Sequence, residues 1–100
     1  METNDIISLL VATYKDYIEQ TVLEDTRQSL NALISAEADV RRDKRATDIR
    51  KMAKLQIALS QFEINYNQIR EKTGSIAAID DYIADIRAEI KTISFNKNRK

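Results

Sequence analysis

Cysteine, histidine, tryptophan and proline are absent from this 100-residue chain, and glycine occurs once, at Gly74. Without cysteine there is no disulfide frame and no thiolate nucleophile. Without cysteine or histidine the usual zinc, haem and iron-sulfur ligand sets cannot be assembled, so no cofactor is expected. Long apolar runs are missing too: the longest, Ile6 to Ala12, is interrupted by Ser8 and is far shorter than the ~20 residues that span a bilayer. The opening residues, Met1 to Asp5, are polar and acidic and lack the basic region of a signal peptide. The expectation is a cytoplasmic protein without a membrane segment.

Net charge is zero, with 16 basic and 16 acidic residues, but the charge is polarised along the chain. Residues 1–39 hold eight acids against Lys15 and Arg27, whereas residues 40–54 hold seven bases against Asp43 and Asp48. Such a distribution favours pairing of acidic with basic segments, or an anionic partner for the middle of the chain.

Helix is the only regular structure that the pattern supports. Residues 1–73 contain neither Pro nor Gly and are rich in Ala, Leu, Gln, Glu, Lys and Arg, so corners must be read from shifts in apolar phase. Ile76, Ile79, Ile83, Ile86, Ile90 and Ile93 are spaced alternately three and four apart, an all-isoleucine seam on one helical face. Ser75 is a candidate cap for this helix, Asp80 and Asp81 suit its N-terminal dipole, and Lys91 lies toward the other end. Met52, Leu55, Leu59, Phe62, Tyr66 and Ile69 repeat the same spacing upstream. This second seam ends at Thr73 and Gly74, where glycine can adopt the positive-φ conformation that closes a helix. Nearer the start, Ile7, Val11, Tyr14 and Ile18 form one stripe and Leu23, Leu30, Leu33 and Val40 another, out of phase somewhere between Ile18 and Thr26.

Two placements of the first corner compete. The favoured one runs a kinked helix over about 5–40 and turns through the polar stretch Arg41 to Asp48. The other turns at Glu24 to Thr26, where Asp25 with Gln28 resembles a capping box. The expected fold is therefore all-α: one domain over residues 1–100, an antiparallel helical hairpin plus a third helix, forming a coiled-coil-like three-helix bundle that oligomerises. Its helices are expected at about 5–40, 47–73 and 75–94, with a frayed polar tail at 96–100.

The second helix also carries Ile57 and Ile64, two residues off its seam and so on the opposite side. Apolar residues on both faces mark the middle member of a bundle or a helix that presents one face to a partner. Tyr82 flanks the isoleucine seam and Phe95 lies beyond it. Exposed aromatics there would be interface anchors, so Ile57, Ile64, Tyr82 and Phe95 are the candidate partner-binding residues. Arg41, Arg42, Lys44, Arg45, Arg50, Lys51 and Lys54 are candidate anion-binding residues, but Asp43 and Asp48 interrupt them and no aromatic lies between Tyr17 and Phe62. Asp81, Asp85 and Glu89 share a helical face at spacings of four, and with Arg87 and Lys91 alongside they read as a solvated surface rather than a cation site.

No pocket motif or paired nucleophile and base marks a catalytic centre. The expected function is a non-enzymatic interaction module, an adaptor, chaperone or assembly subunit, binding itself or a helical partner through apolar helix faces. The rival reading is a small nucleic-acid-binding regulator using residues 41–54.

Overall fold

The structure, a computed structural model, describes residues 3–43, 45 and 47–98, with side chains over residues 5–43, 45 and 47–93. Among the described residues all regular structure is helical. The elements are α1 (Thr3–Tyr14), α2 (Gln20–Arg42), α3 (Asp48–Thr73) and α4 (Ala77–Asn98).

The all-helical class and the corner near residues 41–47 agree with the sequence, while the helix count does not. The segment expected as one helix over 5–40 is two, broken at residues 15–19 with no Pro or Gly at the break. The Tyr14 carbonyl accepts from the amides of both Tyr17 (3.0 Å) and Ile18 (2.9 Å), which tightens the end of α1 and turns the chain. The cause is tertiary. Ile6, Leu10 and Tyr14 form the buried stripe of α1, and a straight continuation would carry it away from the helices that cover it. Folding back sets α1 against α2 and α4. The buried stripe is shifted one residue from the expected Ile7 and Val11, which are only half-buried. Glu24 to Thr26, the competing corner, lies inside α2.

Long-range hydrogen bonds give the helix directions. Asn65 donates to Ser29 and Lys54 to Asp39, so α2 and α3 run antiparallel. Arg87 donates to Glu63 and Tyr66 to Asp80, so α3 and α4 are antiparallel as well. The three long helices α2, α3 and α4 thus pack up-down-up in a fold of four helices rather than the three expected. The 12-residue α1, about 18 Å long, covers only the end that contains the α3–α4 corner.

The seams pack as their spacing requires. Leu55, Leu59, Phe62, Tyr66 and Ile69 of α3 are buried, as are Leu23, Leu30, Leu33 and Val40 of α2 and Ile79, Ile83 and Ile86 of α4. Most of these side chains join Ile6, Leu10 and Tyr14 in one core cluster drawn from all four helices. Phe62 and Tyr66 stack with ring centroids 5.5 Å apart.

Gly74 closes α3 at φ 90° and ψ 171°, a region essentially confined to glycine, and two tyrosines from other parts of the fold hold the corner. The Tyr14 hydroxyl donates to the Gly74 carbonyl (2.8 Å), and the Ile76 amide donates to the Tyr66 hydroxyl (2.8 Å), which donates in turn to Asp80 (3.1 Å). The first-turn bonds of α4 fall on the Ile76 carbonyl, one residue past the Ser75 expected to cap it. At its other end α4 continues through Asn98, so residues 96–98 are helical rather than a frayed tail.

The fully buried Ile86 tests whether the isoleucine seam is core or docking surface. Ile86→Ala is expected to lower unfolding free energy by about 2–5 kcal/mol, read from urea denaturation. A variant of unchanged stability would place the seam outside the core.

Candidate interaction surface

On α3 the core seam occupies one side and leaves the opposite side to solvent. At about 100° per residue, Ile57 lies roughly 160° around the helix from Leu55, and Ile64 the same angle from Tyr66. Ile57 is 72% exposed and Ile64 57%. Both are large β-branched side chains with no covering neighbour, in a chain that otherwise buries its seams. Ile49, 58% exposed, lies one turn before the exposed Ala53 and extends the apolar stripe toward the start of α3. Its spacing of eight residues from Ile57 was visible in the sequence, but its nearness to the polar turn hid it. Tyr17, exposed in the α1–α2 turn, is the remaining large apolar side chain left in water among the described residues.

The other two candidate anchors fare differently. Tyr82 is 8% exposed, a member of the core cluster with its hydroxyl turned inward to Glu37, so it is not an exposed anchor. With Ile79 and Ile86 it makes a three-four spacing that widens the seam, and this was the sequence signal for its burial. The Phe95 side chain lies outside the described residues.

Three cations of the basic stretch, Arg41, Arg42 and Lys54, are occupied by the protein's own acids. Arg42 and Lys54 both bond Asp39, at 2.7 and 3.0 Å, and these two cations hold the Asp39 carboxyl below its ordinary range, Lys54 contributing more. Arg41 reaches Glu37 at 3.3 Å and Glu89 at 4.0 Å. Among the described residues, the side chains of Arg45, Arg50 and Lys51 make no ion pair. Lys44 lies outside them. Arg50, Lys51 and Lys54 do line a shallow groove at the α2–α3 corner, but Asp39 and Asp43 line the same groove. The sequence-defined patch is therefore an interleaved set of both signs.

A cluster not foreseen from the sequence sits where α2 meets α4. Glu37 is only 8% exposed, and it occupies the position between Leu33 and Val40 on the α2 seam. Around it are the Tyr82 hydroxyl (3.4 Å), Arg41 and Glu89. Glu89 thus turns toward Glu37, while Asp81 and Asp85, expected to share its face, are exposed. Among the described residues no group of acids has the geometry to hold a metal ion. Burial raises the Glu89 carboxyl above its ordinary range, the neighbouring Glu37 adds to this, and Arg41 partly offsets it. The Tyr82 hydroxyl is likewise pushed up, by burial first and by Glu37 second.

No helix among the described residues is long and apolar enough to cross a membrane. No family model matches this chain, and comparison with characterised proteins and with solved structures likewise finds no match.

The raised Glu89 carboxyl makes stability depend on pH. In the interval above the ordinary carboxyl value of 4.5, the folded chain holds a proton that the unfolded chain has released. Stability therefore falls as pH rises through the folded value. Glu89→Gln is expected to remove that fall and to gain most over wild type near pH 7, measured as melting temperatures from pH 4 to pH 7. Identical pH profiles for the two proteins would contradict the assignment.

Proposed function

We propose that this chain is a non-enzymatic helical interaction module that docks a helix, from a second copy or from another protein, on the outer face of α3. The observation that carries the reading is the exposure of Ile57 and Ile64 directly opposite a fully formed core seam. A large apolar side chain in water gives up roughly 1.5–3 kcal/mol of burial free energy, so a pair aligned on one helical face is a ready contact for a partner's apolar stripe. Helix-in-groove and helix-on-helix recognition use this pattern of anchors two turns apart. Placement on the longest helix, rather than on a loop, makes the surface rigid before binding and limits the ordering entropy that association costs.

Two features support this reading over nucleic-acid binding through residues 41–54. Arg41, Arg42 and Lys54 already face carboxylates of the same chain. The groove beside them is lined by Asp39 and Asp43 as well as by Arg50, Lys51 and Lys54. A phosphate-contacting surface gains its affinity from counterion release by unopposed cations, and Arg41, Arg42 and Lys54 are opposed.

The test is Ile57→Gln with Ile64→Gln in one chain. Because both side chains are exposed, the unfolding free energy should change by less than about 1 kcal/mol. Affinity capture from the native host with wild type and with this variant should then differ, the copies or proteins retained by wild type being lost from the variant. Identical captured sets from two equally stable proteins would overturn the reading.

A further inference from the structure

The outer face of α3 carries a charge pattern as well as an apolar one. Arg50, Ile57, Ile64 and Glu71 succeed one another at intervals of seven residues, two helical turns each, so all four lie on this face. Arg50 and Glu71 are exposed, and neither side chain has an ion-pair partner among the described residues. The residues between the anchors, Ser60 and Gln61, are exposed, uncharged and modest in size, so they permit close approach.

The pattern reads as the same chemistry in reverse from either end, a charge, an isoleucine, an isoleucine and the opposite charge. We infer that this face is a self-complementary homodimer surface on which α3 of a second copy lies antiparallel, a conclusion that rests on reading the face as a docking surface. A two-fold axis passing between Ser60 and Gln61 sets Ile57 against Ile64 of the partner subunit and Arg50 against Glu71 of the partner subunit. The symmetry repeats each contact, which gives two isoleucine pairs at the centre and two ion pairs flanking them. This is an isologous interface, in which one patch serves both subunits. The parallel arrangement in register is excluded by the same residues, because it would set Arg50 on Arg50 of the partner subunit and Glu71 on Glu71 of the partner subunit. Like charges brought together in this way cost association free energy. Ala53, exposed one turn before Ile57, and Ile49 add apolar area at each rim.

The face is one helix wide, which places the dimer among weak associations, with a dissociation constant on the order of 100 micromolar. Sedimentation equilibrium of the purified full chain from about 10 micromolar to about 1 millimolar reads this directly. Four proteins separate the outcomes: wild type, Arg50→Glu, Glu71→Arg, and the double exchange. Each single reversal converts two attractive pairs into two repulsive ones and is expected to weaken the dimer about tenfold. The double exchange restores opposite charges across the antiparallel interface and should return to within about threefold of wild type. Circular dichroism melts of all four should coincide, since both positions are exposed.

A wild-type chain that stays monomeric through the whole range overturns the dimer. So does a dimer indifferent to the single reversals, which would mark another surface or the parallel arrangement. Failure here is distinguishable from failure of the broader reading. A monomeric wild type that still loses captured proteins on Ile57→Gln/Ile64→Gln keeps α3 as a docking surface for other chains, whereas a monomeric wild type with identical captured sets removes both.

Discussion

Leu55, Leu59, Phe62, Tyr66 and Ile69 make a single stripe down α3, and the helices before and after it both pack on that stripe. A helix has room for two neighbours on one broad apolar face when that face spans more than about 100°. Once α2 and α4 share it, the remaining contacts are determined. α2 and α4 are brought side by side, so Glu37 meets Tyr82 and Glu89. The wedge left at the α3–α4 corner is filled by α1. The far side of α3 is left facing water with Ile57 and Ile64 on it. The exposed isoleucines are therefore a product of the topology, since no helix among the described residues lies across them.

The corner at Gly74 is where the local and the long-range parts of the fold meet. Local chemistry ends α3 there, since positive φ is tolerated by glycine without a Cβ penalty. The bonds from Tyr14 and Tyr66 then orient the start of α4. Tyr66 belongs to the core seam and Tyr14 to the last turn of α1, so the same two rings fill the interior and satisfy polar backbone at its rim. Burial raises both hydroxyls above their ordinary value, so they remain protonated donors across the physiological range. The hydroxyl of a tyrosine placed this way anchors a turn that aliphatic side chains of equal size would leave with an unpaired carbonyl.

Much of this fold was legible in the residues themselves. The spacings of Leu55 to Ile69 and of Ile79 to Ile86 report burial directly, because alternating intervals of three and four are the signature of one helical face. Gly74 was legible as a corner because the two seams lose register across it. The break after Tyr14 was not, since it is held by a bond to a residue sixty positions away and has no Pro, Gly or capping residue of its own. Tyr82 reads in the sequence as a partner-binding anchor beside the seam, and the packing of α4 against α2 and α3 closes over it instead. Glu37 was hidden by its type, because a carboxylate on an apolar seam looks like a gap until a tyrosine and an arginine are found beside it. Ile57 and Ile64 were legible as a second face, and their exposure became visible only when no helix proved to cover them. The polarised charge of the sequence already points to pairing of the basic stretch with the acidic segment before it, and Asp39 and Glu37 on α2 answer Arg41, Arg42 and Lys54.

The central claim is that the outer face of α3 is the surface through which this protein associates. Backbone amide chemical shifts of the isotope-labelled chain, monitored on serial dilution, test it residue by residue. The account predicts concentration-dependent shifts concentrated at Arg50, Ala53, Ile57, Gln61, Ile64 and Glu71, with the seam residues of α2 and α4 unmoved. Shifts centred on the α2–α3 turn, on α4 or on Tyr17, with Ile57 and Ile64 constant at every concentration, would contradict it.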